Sequence, residues 1–117
     1  MSRLWGACIN SWNGMVFATR SEQAFRQELW ALLLAFPLAA LIGTTAARRV
    51  ELVAVVLLVI AIELLNTAIE KLADRVTTER DPEIGRVKDV GSAAVGVALL
   101  LAGGVWLFAL GERIGIF

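Results

Sequence analysis

The chain contains three long stretches of apolar residues, separated by short polar segments. The first covers about residues 29–47 and carries no charge, the second covers about 52–70 with Glu63 inside it, and the third covers about 90–111, again uncharged. A membrane-spanning helix needs about 20 predominantly apolar residues, so each stretch is predicted to cross a bilayer. The sequence therefore predicts an all-α integral membrane protein with a single domain over residues 1–117.

The N-terminal segment has a different pattern. Over about residues 4–19, apolar side chains recur at helical spacing and polar side chains fill the other face. Such a helix is too polar to span a membrane, so we expect an amphipathic surface helix. The apolar run before Cys8 is too short for a signal-peptide core of about 7–15 residues, so none is predicted. Thr19 and Glu22 match a capping box that would start the helix leading into the first span.

Turn and capping residues indicate how the spans are connected. Pro37 lies inside the first span, where membrane helices tolerate proline, so we expect a kinked but continuous helix. The polar segment at 48–51 is short, so the first two spans should be antiparallel neighbours. Asp81, Pro82 and Glu83 fit an N-cap, a first helical position and an acidic first turn, which predicts that the third long helix begins there.

Composition and charge narrow the class of protein. Apolar residues make up 58% and charged residues 19% of the chain, too apolar for an ordinary soluble domain. Lys plus Arg equals Asp plus Glu at 11 each, so bulk charge predicts no nucleic-acid partner. The chain has no histidine, which excludes histidine-based catalysis and histidine-ligated metal sites.

The distribution of positive charge predicts the orientation. Eight lysines and arginines lie before the first span or between the second and third, and three lie at the opposite ends of the spans. Because cytoplasmic segments of membrane proteins are enriched in these residues, the N-terminus and the loop after the second span should be cytoplasmic. The C-terminus should then lie outside.

The second span carries a polar stripe. Glu63, Asn66, Thr67, Glu70 and Asp74 fall within about 100° of one helix face. One interpretation is a polar seam that joins helices, as Asn and Thr often do. The other is a functional site, because a carboxylate at membrane depth costs roughly 2.5–3.5 kcal/mol and is a functional hypothesis by default. Glu63 favours the second interpretation and suits a general base.

Further carboxylates cluster where the spans reach the cytoplasmic interface. Glu22 and Glu28 precede or open the first span, and Glu70 and Asp74 end the second. Two carboxylates bind Mg²⁺ well when phosphate oxygens complete its coordination, so a magnesium–nucleotide site is one interpretation. Basic residues available to such a site are Arg3, Arg86 and Lys88. Alternatively, Glu22 serves the capping box, and Asp74 pairs with Lys71 or Arg75 on a solvated helix end.

Known nucleotide-binding motifs do not occur in the sequence. Neither G-x-x-x-x-G-K-[ST] nor G-x-G-x-x-G is present, which excludes a P-loop and the glycine-rich loop of protein kinases. The third span is rich in Gly, Ala and Ser, which allows close helix approach within or between subunits. Three short helices cannot enclose a large site alone, so an oligomer is expected.

Three segments resemble the signature segments of prokaryotic diacylglycerol kinases: Glu22–Glu28, Glu63–Glu70 with the following Asp74-Arg75, and Gly85–Ala94. Ser11–Gly14 is similar to a fourth. The E-x-x-N-[ST]-A-I-E pattern of the second segment is specific to this family and to the related undecaprenol kinases. The resemblance extends over nearly the whole chain.

The resemblance implies a homotrimer in the bacterial inner membrane, with its C-terminus in the periplasm and active sites shared between subunits. It implies transfer of the γ-phosphoryl group of ATP, with Mg²⁺ as cofactor, to diacylglycerol, giving phosphatidic acid. Glu63 would be the general base, and Glu22 and Glu70 would hold the metal. Positions matching nucleotide contacts are Arg3, Asn10, Glu22, Glu70, Glu79, Arg80, Asp81, Lys88 and Asp89. Positions matching lipid contacts are Phe25, Arg26, Gln27, Glu28, Glu63, Ser92 and Trp106.

The sequence is also compatible with three alternative functions. An undecaprenol kinase would have the same fold and chemistry. A small proton-coupled transporter would use one intramembrane glutamate, but it would not need a cluster of cytoplasmic carboxylates and lysines. A non-catalytic membrane subunit would leave Glu63 unexplained.

Overall fold

Four helices make up the protein in a computed structural model that describes residues 2–117. Helix α1 covers Ser2–Ser21, α2 covers Gln23–Ile42, α3 covers Ala46–Val76 and α4 covers Pro82–Arg113. Helices α2, α3 and α4 are each long and apolar enough to cross a membrane. No strand occurs in the described part of the chain. The predicted all-α membrane architecture with a separate N-terminal helix is confirmed.

Helices α1 and α2 meet at Glu22, whose backbone is extended (φ −118°, ψ 111°). The predicted capping box is wrong. Thr19 lies inside α1, where its hydroxyl donates a hydrogen bond to the Met15 carbonyl at 2.7 Å. Glu22 makes no side-chain cap and instead contacts Lys71 of α3. The Glu22 side chain therefore forms an ion pair with another helix instead of capping its own.

A tight reversal connects α2 and α3. Helix α2 ends at Ile42, earlier than the predicted span 29–47, and only Gly43–Thr45 separate it from α3. Thr45 is the N-cap of α3, and its hydroxyl accepts a hydrogen bond from the Arg48 amide at 3.1 Å. The reversal contains no charged residue. The uncharged run in the sequence therefore extends beyond the end of α2, and the predicted span was too long.

The start of α4 agrees with the capping prediction. The Asp81 carboxylate accepts hydrogen bonds from the backbone amides of Glu83 at 2.9 Å and Ile84 at 3.3 Å. Pro82 occupies the first turn, where no amide hydrogen is needed. Pro37 lies within α2, which continues through it.

Packing within the chain is sparse. Two small clusters form the core, one of Ala18, Phe25 and Ile60 and the other of Ala39, Leu52 and Ala109. Large apolar side chains are exposed along the three long helices, with Leu100 as much as 79% exposed. In water such a surface would aggregate, but hydrocarbon solvates it. Lipid or neighbouring subunits must therefore cover most of the molecule.

The ends of α3 and α4 farthest from Glu70 are joined by a group that we call the Arg48 cluster, formed by Arg48, Glu112, Phe108 and Phe117. The Arg48 guanidinium binds Glu112 at 2.8 Å and lies 5.0 Å from the Phe108 ring centroid. Gly115, at φ 85°, reverses the chain so that Phe117 stacks on Phe108 with centroids 4.9 Å apart. The cluster fixes the register between α3 and α4.

Candidate active site

The polar face of α3 carries the central carboxylates. Glu63 lies within the apolar part of the helix, and Glu70 lies about 10 Å further along its axis. Helix α3 is about 46 Å long, so it extends beyond a hydrocarbon layer of about 30 Å. Asn66 donates a hydrogen bond to the Glu70 carboxylate at 3.1 Å. One helix face thus presents an acid at membrane depth and a second, oriented acid toward its polar end.

Glu28 of α2 faces Glu63 of α3, and their carboxyl groups are within interaction distance of each other. One carboxyl oxygen of Glu28, Oε2, is buried and has no hydrogen-bond partner within the described residues. Neither glutamate forms an ion pair within residues 2–117. Because a buried polar atom without a partner is unfavourable, this position suits a hydrogen-bonding group from the facing carboxyl or from outside the chain.

A second carboxylate site lies at the joint between α1 and α2. The Lys71 ammonium of α3 is 3.0 Å from a carboxylate oxygen of Glu22. The same ammonium lies 5.3 Å from the centroid of the Phe17 ring. Lys71 therefore links the joint to the helix that carries Glu63 and Glu70.

A polar cleft opens between the end of α3 and the start of α4. Lys88 of α4 forms an ion pair with Asp74 of α3 at 2.6 Å, so the predicted pairing of Asp74 with Lys71 or Arg75 is wrong. The physical reason is the α3–α4 turn, which places the two helix ends side by side. The cleft has a volume of about 310 Å³, and the predicted nucleotide-contacting residues that line it are Glu79, Arg80, Asp81 and Lys88.

The available ligands suit a hard divalent cation. Within residues 2–117 there is no group of three or more His, Cys, Asp or Glu side chains that could hold a metal alone. Glu22 and Glu70 offer carboxylate oxygens near the polar end of the bundle, and Mg²⁺ is commonly bound by one or two carboxylates plus substrate phosphates. The Glu22 carboxylate already attracts a cation, the Lys71 ammonium. The residues present therefore fit a metal whose coordination is completed by a bound nucleotide.

Several predicted nucleotide contacts are not brought to these carboxylates. Arg3 and Asn10 are exposed on the N-terminal half of α1, and no side-chain hydrogen bond or ion pair within the described chain holds them. Arg3 is about 22 Å along α1 from Ala18, the buried residue near the joint. Asp89 is likewise exposed on α4. A single chain therefore does not bring these residues together with the carboxylates.

The predicted lipid contacts are also spread over the molecule. Phe25 is 4% exposed and packs in the core, whereas Gln27 and Ser92 are exposed. Arg26 donates hydrogen bonds to the last carbonyls of α1, the nearest at 2.9 Å, and so ends that helix. The Trp106 indole donates to the Leu52 carbonyl at 3.1 Å. That carbonyl is about 16 Å along α3 from Glu63, so the Trp106 indole does not lie beside the Glu63 carboxylate.

The sequence pattern does not identify two residues of the candidate site, Lys71 and Gly91. It indicates Lys71 only as a partner of Asp74, whereas the structure places its ammonium beside Glu22. Gly91 of α4 packs against the Asn66 side chain so closely that a Cβ atom there would overlap the amide oxygen. The sequence signal for Gly91 was its place in a small-residue helix, which indicated packing but not the partner.

Comparison with known proteins identifies the family. The family model described as prokaryotic diacylglycerol kinase matches residues 9–110. The diacylglycerol kinase of Escherichia coli (strain K12) is 41% identical over 114 residues, covering 97% of this chain and 93% of that protein. The diacylglycerol kinase of Haemophilus influenzae is 43% identical over 96 residues, covering 82% and 81%. That of Pseudomonas aeruginosa is 40% identical over 106 residues, covering 91% and 86%. This chain therefore belongs to the prokaryotic diacylglycerol kinase family.

Proposed function

We propose that this protein transfers the γ-phosphoryl group of ATP to the hydroxyl of diacylglycerol, giving phosphatidic acid and ADP. The observation that carries the proposal is the polar face of α3. It holds Glu63 in the apolar part of the helix, where Glu28 faces it, and it holds Glu70 toward the polar end. A lipid alcohol and a nucleotide need such acids at different depths. The names of the relatives support the same reaction.

The proposed chemistry uses Glu63 as general base. The lipid hydroxyl oxygen attacks the γ-phosphorus, the bond from that phosphorus to the β,γ-bridging oxygen breaks, and the hydroxyl proton passes to the Glu63 carboxylate. Glu28, which faces Glu63 from α2, would contact the lipid headgroup and help to hold it beside Glu63. Phosphoryl transfer depends mainly on positioning and charge stabilisation, which these contacts supply on the lipid side.

The nucleotide would occupy the cleft between α3 and α4. Glu22 and Glu70 would hold Mg²⁺, which when bound neutralises charge on the phosphates. Lys88 would bind phosphate oxygens as a positive charge, and its ion pair with Asp74 keeps the ammonium at the cleft beforehand. Asn66 would keep the Glu70 carboxylate in a fixed orientation.

We also propose a homotrimer in the bacterial inner membrane, with the N-terminus cytoplasmic and the C-terminus periplasmic. The asymmetry of eight against three positive residues supports the orientation. The separation of Arg3 and Asn10 from the carboxylates supports a site completed by a neighbouring subunit.

The direct test is a kinase assay on purified protein with radiolabelled ATP and separate lipid alcohols in mixed micelles. We expect the highest kcat/KM on diacylglycerol and little transfer to undecaprenol. A preference for undecaprenol would assign the chain to the related reaction with the same chemistry. Absence of transfer to any lipid would contradict the proposal and favour a transporter.

Glu63→Gln and Glu28→Gln, compared in that assay, identify the base. General-base catalysis is typically worth about 10²–10⁴-fold, so Glu63→Gln should lower turnover by that factor while leaving ATP affinity nearly unchanged. Glu28→Gln keeps size and hydrogen bonding at the facing position, and we expect it to raise the KM for lipid more than it lowers turnover. If turnover falls more in Glu28→Gln than in Glu63→Gln, the base has been misassigned.

A further inference from the structure

We propose that Lys71 is an intramolecular cation that occupies the Glu22 carboxylate when no divalent metal is bound, and so sets the metal concentration at which the site fills. The inference rests on the proposed role of Glu22 as a ligand of Mg²⁺. It adds a positioning residue that acts on the metal through the carboxylate it contacts.

Three parts of the fold hold the Lys71 ammonium in place. The lysine belongs to α3, its carboxylate partner Glu22 forms the α1–α2 joint, and the aromatic ring of Phe17 belongs to α1. The ammonium is 3.0 Å from a Glu22 oxygen and 5.3 Å from the Phe17 ring centroid. Because an aromatic face attracts a cation, the ring favours this position of the lysine. These contacts therefore hold the ammonium beside the Glu22 carboxylate.

The exposure of the pair leaves the carboxylate accessible to a metal. The side chains of Lys71 and Glu22 are 45% and 33% exposed. Water and a hydrated ion can therefore reach Glu22. Exposed ion pairs contribute little net stability, so a divalent ion can displace the ammonium or share the carboxylate with it.

The two cations compete because they are attracted to the same carboxylate and repel each other. Removing the lysine charge should therefore strengthen metal binding. Since the pair is exposed and weak, the change should be small, about two- to fivefold in the concentration of half-saturation. A lysine that merely joined the helices would leave that concentration unchanged.

The experiment titrates Mn²⁺ alone, without nucleotide, into purified protein in detergent micelles, with free Mn²⁺ measured by electron paramagnetic resonance. Lys71→Met keeps the aliphatic stem and removes the charge, and Lys71→Gln is a second neutral variant should the first fail to fold. Lys71→Arg restores a cation. Arg75→Met removes one positive charge from a neighbouring exposed position on α3 and controls for the general field.

We expect Lys71→Met and Lys71→Gln to half-saturate at two- to fivefold lower Mn²⁺ than wild type, with Lys71→Arg and Arg75→Met close to wild type. Equal binding in Lys71→Met and wild type, weaker binding in Lys71→Met, or no binding in either protein would overturn the inference.

Glu22→Gln separates this result from the proposed function. If Glu22→Gln binds Mn²⁺ like wild type, the metal role of Glu22 itself fails; if it binds less while Lys71→Met is unchanged, only the inference fails.

Discussion

At the scale of single residues, Gly91 shows how a contact between two helices orients a side chain of the site. It lies against Asn66, and Asn66 donates the hydrogen bond that orients Glu70. A Cβ atom at position 91 would overlap the Asn66 amide oxygen. Glycine at position 91 therefore allows the close approach of Asn66, and a larger residue would have to displace that side chain.

Gly91→Ala should lower both stability and activity. Overpacking costs about 1–3 kcal/mol, which either separates α4 from α3 or turns Asn66 away from Glu70. The ATP concentration needed for half-maximal activity should rise about tenfold, the equivalent of 1.4 kcal/mol. Thermal unfolding and ATP kinetics on the same preparation measure both effects.

Two further variants separate the clash from the lost hydrogen bond. Gly103→Ala is the control on the same helix, because a Cβ there meets no atom of the chain within 4 Å, and it should not destabilise. The double variant Asn66→Ala/Gly91→Ala removes the clash, so stability should recover while the ATP requirement stays raised. Normal ATP kinetics in the double variant would contradict a role for Asn66 in orienting Glu70.

The polar face of α3 was predictable because residues of one helix share a fixed rotation of 100° per residue. The partners across helices were not. Glu22 pairs with Lys71, and Asp74 pairs with Lys88, through contacts that depend on how separate helices are aligned. Helical periodicity carries no information on that alignment, so the local pairing expected for Asp74 was wrong.

At the scale of helices, the Arg48 cluster joins the start of α3 to the end of α4, far from the carboxylates. Arg48 and Glu112 are 24% and 27% exposed, whereas Glu51, the second partner of Arg48, is 45% exposed. The less exposed partner lies on the other helix. Its ion pair should therefore stabilise the packing of α3 against α4 more than the pair within α3 does.

Glu112→Gln should lower the unfolding temperature, because it weakens the contact between helices and leaves the Arg48 guanidinium with one carboxylate. Glu51→Gln is the matched control: it removes the same charge from the same arginine within a single helix, and it should have a smaller effect. Thermal unfolding in detergent micelles measures the difference. At low temperature both variants should keep full kinase activity, and a loss of activity there would contradict a purely structural role.

The existence of each helix followed from its pattern, and the start of α4 followed from Asp81 and Pro82. The end of α2 did not. The reversal at residues 43–45 is short and uncharged, so hydropathy alone could not distinguish it from the span. The joint at Glu22 was placed correctly in the chain but for the wrong reason, since a tertiary ion pair replaces the expected cap.

At the scale of the whole molecule, one chain leaves its apolar surface largely exposed and its site spread out. Of the aromatic residues on α1 and α2, Trp5 and Trp12 are each 70% exposed and Trp30 is 68% exposed. Arg3 and Asn10 lie away from the carboxylates they are proposed to serve. Both observations favour an assembly in which neighbouring chains complete each site.

The active protein should be an oligomer. Chemical crosslinking in native membranes should yield trimers, and native mass spectrometry in detergent should show the same species with full activity. A shared site also predicts that Arg3→Gln and Glu63→Gln subunits, each inactive alone, regain activity when mixed. A fully active monomer would contradict the assembly, and failure of the mixed subunits to regain activity would contradict shared sites.

Family and fold class were readable from the sequence because the E-x-x-N-[ST]-A-I-E segment combines a specific pattern with an intramembrane acid. The number of subunits was not readable from physical argument. Small residues on α4 allow close packing within a chain as well as between chains. Gly91 is an example of packing within the chain, because it lies against Asn66 of α3.

The unbroken run of α3 from Glu63 to Glu70 fixes the distance between the two carboxylates along the helix axis. A rigid helix cannot shorten this distance to suit a substrate. With Glu63 as the proposed base, the lipid must place its own hydroxyl at the level of that carboxylate. How deep a headgroup lies depends on its size and on the thickness of the surrounding bilayer. Substrate selection by this enzyme would then depend on the depth at which the lipid hydroxyl lies in the bilayer. A thicker or thinner bilayer would change the rate of phosphoryl transfer without any change in the protein.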